Sequence, residues 1–339
     1  MPTIVYYGFR DHFLLTKVTF IMKKKVIAII GPTAVGKTKM SIELAKALDG
    51  EIISGDSMQI YRGMDIGTAK VTEEEMQGIP HYLIDIKDPV EEFSVAEFQG
   101  RAANLIDEIS GKGKTPIIAG GTGLYIQSIL YNYNFSVAES NPEYRLFLEK
   151  RIETEGINGV YNELRMIDPK SCDRIHPNNV RRVIRALEVY HETGLTMTEY
   201  LQEQEYEAPY DHQIIGLTME RSLLYERINK RVDMMVNQGL IKEVKALYET
   251  GIKDCQSIQA IGYKELYDYF NGKVSKEEAI ELLKRNSRRY AKRQLTWFRN
   301  KMDVEWFDMS GAVFDANLFE QKIQEILKLV AGKLQLKAK

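Results

Sequence analysis

The sequence predicts an α/β fold: a parallel sheet core flanked by helices, with an all-helical domain inserted into it. Three observations carry this. Short apolar, β-branched runs alternate with helical patterns near the start of the chain. A glycine-rich phosphate loop separates the first run from the first helix. A long stretch of purely helical periodicity then intervenes before another strand pattern appears.

The first strand is Val26–Ile30, ending at Gly31, and a helical pattern follows from Lys37 to Leu48. Glu51–Ser54 reads as the second strand, Tyr82–Asp85 as the third and Pro116–Ala119 as the fourth, entered from a helix around Val95–Ile109. Between Asn141 and Gln204 the expected helices are Pro142–Glu155, Gly159–Asp168, Asn179–Glu192 and Thr196–Gln204. The strand His212–Leu217 resumes the sheet, and helices over Ser222–Asn237, Leu240–Glu249, Ser257–Asn271 and Ser275–Lys301 complete the pattern. The implied units are an N-terminal extension (1–21), a core (22–134 and 206–312), a helical insertion (135–205) and a C-terminal helical tail (313–339). Met22 precedes Lys23-Lys24-Lys25 and the first strand, and reads as a natural start.

Composition excludes several classes. With 44% hydrophobic and 10% aromatic residues, the 339-residue chain buries a large core and is not disordered. No apolar run approaches the roughly 20 residues a membrane helix needs. Two cysteines, Cys172 and Cys255, build neither a disulfide framework nor a cysteine-based metal cluster, so a reducing cytoplasm is expected. A monomer is expected too. The net charge of −2 argues against indiscriminate polyanion binding, but charge is segregated: KRNSRRYAKRQLTWFRNK, from Lys284 to Lys301, holds eight basic residues and no acidic one.

The chemistry begins at Gly31-Pro32-Thr33-Ala34-Val35-Gly36-Lys37-Thr38, which satisfies G-x-x-x-x-G-K-[ST] between an apolar strand and a helix. Its backbone amides and the helix N-terminus suit phosphate, Lys37 adds a point charge, and the Thr38 hydroxyl can ligate Mg²⁺. The loop alone does not distinguish a nucleotide such as ATP from another diphosphate. Asp56 follows the second strand at its carboxyl edge, where it could ligate metal through water, accept a proton or cap the loop. Gly120-Gly121-Thr122-Gly123 stands where nucleotide-hydrolysing relatives of the P-loop usually carry a metal-binding aspartate, and it suits either an anion nest or a plain tight turn. Arg181, Arg182 and Arg185 share a helix, while Arg221, Arg227 and Arg231 bracket another. Arg285, Arg289, Lys292 and Arg293 fall on roughly one face, with Trp297 one turn on. Each charge taken singly is an ordinary solvated residue, but a stripe without counter-charges suits nucleic-acid phosphates. The five histidines show no metal-ligand spacing.

The sequence resembles the tRNA dimethylallyltransferases. The resemblance rests on GPTAVGKT (Gly31–Thr38), SGDSMQIYRGMDIGTAK (Ser54–Lys70), GGTGLY (Gly120–Tyr125), HPNNVRRVIRALEVY (His176–Tyr190), QAIGYKE (Gln259–Glu265) and RRYAKRQLTWFR (Arg288–Arg299). These run in family order from about Lys25 to Arg299; the residues before Met22 have no counterpart, and Ser287 stands where threonine is expected. The resemblance implies a P-loop NTPase-like core and Mg²⁺-assisted transfer of a dimethylallyl group from dimethylallyl diphosphate. The acceptor would be the N6 amine of the adenosine 3′ to the anticodon in tRNA. It implies Asp56 as general base, Thr122 as its orienting partner or a phosphate contact, and Lys37 on the diphosphate; Arg231 is our choice for a further diphosphate contact. It assigns contacts with the tRNA anticodon stem-loop to Asp56, Ser57, Met58 and Gln59, to Thr122, and to Gln259, Gly262, Tyr263 and Lys264. Arg181, Arg182 and Arg185, and the stripe Arg285, Arg289 and Arg293, would grip RNA phosphates. A P-loop small-molecule or nucleotide kinase is the alternative; it leaves the insertion and the basic stripe without a purpose. A non-catalytic RNA-binding module leaves Gly31–Thr38 and Asp56 unexplained, and an enzyme that prenylates free AMP would not need the stripe.

Overall fold

A computed structural model describes residues 23–133, 141–202 and 208–336. The expected extension and its boundary at Met22 lie outside the described residues, as do both junctions of the insertion.

Six strands form one all-parallel sheet in the order β3-β2-β4-β1-β5-β6. They are β1 (Lys25–Ile30), β2 (Gly50–Ser54), β3 (His81–Tyr82), β4 (Thr115–Gly120), β5 (Asp211–Thr218) and β6 (Glu305–Asp308). In β1, Val26, Ala28 and Ile30 face one apolar layer and Ile27 and Ile29 the other. A strand covered on both faces must be apolar throughout, which explains the unbroken run VIAII. The layer under Val26 is closed by α3 (Val95–Gly111), α4 (Gly123–Leu130), α11 (Leu240–Glu249), α12 (Tyr263–Phe270) and α13 (Lys276–Lys301). The opposite layer is closed by α1 (Lys37–Leu48), α10 (Arg221–Gln238) and α14 (Ala316–Leu334). A short α2 (Glu73–Met76) leads into β3.

The insertion holds α5 (Pro142–Glu155), α6 (Ile157–Ile167), α7 (Pro169–Cys172), α8 (Val180–Thr193) and α9 (Met197–Gln202). It has its own apolar centre of Leu148, Val160, Leu164, Val183 and Leu187. Two buried carboxylates wire its helices together. Glu188 accepts bonds from Asn141 N–H, from both ends of the Arg145 guanidinium and from Arg185. Asp168 accepts from the backbone N–H and hydroxyl of both Ser171 and Thr198.

Several expectations need correction. The third strand stops at Tyr82, because Leu83 and Asp85 take left-handed φ values of 61° and 54° and turn the chain out of the sheet. The helix expected from Ser257 to Asn271 breaks at extended Ala260, leaving a short 3₁₀ turn (Ser257–Gln259) before α12. The strand β6 had no sequence expectation. The C-terminal segment is helical as expected, but α14 is no free tail: Phe319, Ile323, Ile326 and Val330 complete the apolar layer over α1 and β5.

Candidate active site

The carboxyl ends of β1, β2 and β4 open into a cleft of about 990 Å³, roofed by α10, α13 and the Gln259–Ile261 segment. Parallel α/β sheets bind ligands at this edge. Strand β4 lies between β1 and β2, so the Asp56 loop and the phosphate loop are not on adjacent strands. They nonetheless face each other across the cleft, which Thr33, Ala34, Gly36, Lys37, Thr38, Asp56, Ser57, Met58 and Gln59 all line.

The loop from Gly31 to Thr38 takes the wound conformation its glycines permit, with Gly36 at φ 108° directly before α1. Gly31, Pro32 and Val35 are buried supports. The Lys37 ammonium donates to the carbonyls of Gly31 and Pro32 at 3.0 and 2.9 Å, folded back over its own loop. Loss of water on burial lowers its pKa to about 8; Asp56 opposes that shift and Arg231 adds to it. Burial likewise lowers the Arg231 pKa, with Asp56 and Glu75 opposing. Among the described residues neither cation has a carboxylate within ion-pair distance; Arg231 reaches the Thr33 hydroxyl at 3.5 Å and Arg227 donates to Ala34 O at 3.1 Å. Two desolvated cations without a carboxylate partner, beside a glycine-rich loop that ends at a helix N-terminus, suit an anion.

Across from them, Asp56 Oδ1 accepts Met58 N–H at 2.9 Å, the local turn expected of an aspartate after a strand. Thr122 caps nothing on α4; its hydroxyl oxygen accepts Ser57 N–H at 3.0 Å and so ties the β4 turn to the Asp56 segment. Gln59 is fixed by the Ser54 hydroxyl and the carbonyls of Thr68 and Ala69. That segment is anchored from behind by Glu243, whose carboxylate accepts the N–H groups of Asp65, Ile66 and Gly67.

The glycines of the β4 turn have a different purpose from an anion nest. None has positive φ. A Cβ on Gly120 would lie 2.3 Å from the Gly55 backbone, one on Gly121 2.1 Å from Gln294 Nε2, and one on Gly123 2.3 Å from the Trp297 ring. They are glycine because a strand loop and a helix press on the turn.

The structure separates the RNA-contact candidates. Arg293 and Gln259 reach the cleft, whereas Arg285, Arg289 and Lys264 are exposed on α13 and α12 outside its lining. Arg181 and Arg182 are exposed on α8, in the insertion. Arg185 instead pairs with buried Glu188. Gly262 and Tyr263 do not present side chains to an RNA: Gly262 is a buried turn, and Tyr263 is 0% exposed with its hydroxyl on Glu243. Trp297 turns inward against Gly123, off the basic face. Sequence reasoning missed Tyr290 and Gln294, which line the cleft from α13. A signal existed, since Ala291, Gln294 and Phe298 fall at the spacing of a buried helical stripe.

Fold and cleft together define a phosphate-loop α/β protein in which two desolvated cations face a carboxylate across one cleft. A model of the family described as IPP transferase matches residues 59–301. The tRNA dimethylallyltransferase of Anoxybacillus flavithermus is 62% identical over 317 residues, covering 94% of this chain and 99% of that one. The full-length tRNA isopentenylpyrophosphate transferase of Bacillus halodurans superposes with a TM-score of 0.71 at 57% identity, over 92% of this chain and 97% of that one. A eukaryotic dimethylallyltransferase acting on tRNA gives a TM-score of 0.76 at 34% identity, over 88% and 78%. The chain belongs to the IPP transferase family. These relatives support the prenyltransferase reading of its sequence over the kinase alternative.

Proposed function

We propose that this cleft transfers a dimethylallyl group from dimethylallyl diphosphate to the N6 amine of the adenosine 3′ to the anticodon in tRNA. One observation carries the reading: Lys37 and Arg231 are desolvated without carboxylate partners, in the cleft that Asp56 lines from the other side. The leaving diphosphate would settle on the loop amides from Ala34 to Thr38, Lys37 and Arg231, which stabilise the charge that grows as the allylic C–O bond breaks. The exocyclic amine forms the new C–N bond and gives its proton to Asp56, since its lone pair is delocalised until that proton leaves. Thr122 would keep the Asp56 segment in place through Ser57.

Mg²⁺ fits this donor set. Thr38 offers an exposed hydroxyl in the cleft, and the described residues hold no group of three or more His, Cys, Asp or Glu that could cage a metal alone. Thr38 would hold the cation, which would supply charge neutralisation for the leaving diphosphate. The adenosine must leave the anticodon stack to reach the cleft, at a cost of a few kcal/mol. Arg285, Arg289 and Arg293, with Lys264 and the exposed Arg181 and Arg182, would grip the stem-loop phosphates. No helix among the described residues is long and apolar enough to cross a membrane. We place the enzyme in the cytoplasm, working as a monomer.

The test is one incubation of the protein with unmodified tRNA, labelled dimethylallyl diphosphate, ATP and Mg²⁺. Label in the nucleoside, with equimolar diphosphate released, supports the proposal. Hydrolysis or transfer of ATP phosphate in place of prenyl transfer refutes it.

A further inference from the structure

The reaction proposed above needs two loops at a fixed separation. The phosphate loop takes the leaving group, and the turn after β4 holds the Asp56 segment through Thr122 and Ser57. Their strands are paired only as far as Ile30 and Gly120, so beyond that point the sheet does not set their distance. One side chain spans the gap. Gln294, 5% exposed on α13, accepts Thr33 N–H at 2.9 Å through Oε1 and donates Nε2–H to Gly121 O at 3.0 Å. The fit is close, since even a methyl on Gly121 would collide with that amide. Both ends of the amide are thus committed, one to each loop, in a site from which water is largely excluded.

We infer that Gln294 is a positioning residue for prenyl transfer. It holds the diphosphate-bearing loop at the distance from the Asp56 and Thr122 segment that brings the allylic carbon to the amine, its own amide being committed to the two loops. The inference rests on the assignment of donor and acceptor to those two loops. Each loop keeps its own ligand-binding groups without the brace, but their alignment is lost, and a misplacement of about 1 Å costs on the order of 10²-fold in rate.

Gln294→Met keeps the length of the side chain and removes both bonds. The single-turnover rate at saturating substrates should fall by about 10- to 100-fold, while the affinities for inorganic diphosphate and for unmodified tRNA each stay within about threefold. A rate within about threefold of wild type overturns the inference. So does a rate loss matched by an equal loss of diphosphate affinity, because Gln294 would then only shape the anion site. Gln294→Glu decides the matter if the methionine variant fails to fold. A neutral glutamic acid can accept from Thr33 and donate to Gly121, whereas the ionised form can only accept. Its rate relative to wild type should therefore rise at least about tenfold between about pH 8 and about pH 6. A flat ratio overturns the inference. Wild type measured alongside separates this failure from failure of the functional reading, since without wild-type prenyl transfer the assignment of the loops falls first.

Discussion

The helical insertion and the sheet core treat buried charge in opposite ways. In the insertion, Glu188 is fully buried and saturated. Burial pushes its pKa up, but hydrogen bonds from Arg145, Arg185 and Asn141 outweigh that and hold it below the usual carboxylate range. In the core cleft, Lys37 and Arg231 are stripped of water and given only neutral oxygens in return. A saturated charge fixes a structure; an unsaturated one is held ready for something that is not part of the chain. The same residue types thus serve architecture in one region and chemistry in the other.

The comparison can be broken most sharply at Asp56. Asp56→Asn keeps the size and the bond from Met58 N–H but cannot take a proton, so single-turnover transfer should slow by roughly 10²- to 10⁴-fold with both substrates still bound. A rate within a few-fold of wild type would show that the base lies elsewhere. Lys37→Met should cost about 10²- to 10³-fold in rate. Its melting temperature should be unchanged or higher, because a desolvated cation disappears; a marked drop would mean that Lys37 holds the loop together. Glu188→Gln should do the reverse. It removes the charge that three groups share, and thermal unfolding should show a loss of about 2 kcal/mol, below the ~3–5 of a fully buried pair because both arginines are partly in water. Its affinity for inorganic diphosphate should not change.

A pH series sharpens the same contrast. The Lys37 pKa is lowered to about 8 by burial, so the free protein carries this charge below that pH and loses it above. Diphosphate affinity should be full below about pH 8 and then fall by up to about tenfold per pH unit, with one proton taken up on binding. Calorimetry in two buffers reads that proton. Lys37→Arg, charged throughout, should lack the proton uptake; if it does not, another group titrates. The smallest effect belongs to the exposed stripe. Neutralising Arg285, Arg289 and Arg293 together should flatten the slope of log affinity against log salt for tRNA by about 0.7 to 0.9 for each phosphate the protein no longer neutralises. Dimethylallyl diphosphate affinity should stay put, and unchanged tRNA affinity at low and moderate salt would mark the stripe as a solvated face.

What was legible in the sequence follows from how local its cause is. The strand and helix of the phosphate loop could be read because the apolar run, the glycines and the helical stripe lie within about two dozen residues. The order of strands could not, because placing β4 between β1 and β2 depends on crossovers that leave no local trace. β6 is four residues, EWFD, with only its central pair half-buried, too short for alternation to register. The family resemblance places Tyr263 among the tRNA contacts as part of the Gln259–Lys264 stretch; only the fold reveals that its ring is buried and backs Gly67. Gln294 was hidden by its neighbours, since an uncharged amide among arginines and lysines reads as surface until the helix is docked.

The pairing of β1 sets the order in which this chain can mature. Lys25 to Ile30 lie in register with Asp211 to Gly216, nearly two hundred residues later, and α13 with Gln294 comes later still. During synthesis the apolar edge of VIAII stays open on the β5 side while the insertion, which has an apolar centre of its own, emerges first. Contacts this distant in sequence form slowly, because the intervening chain must be gathered before the strand is rewarded. The ribosome therefore makes β1 well before the strand that covers its second edge. Refolding of the chain from denaturant should show an early phase from the insertion and a slow one from closure of the sheet.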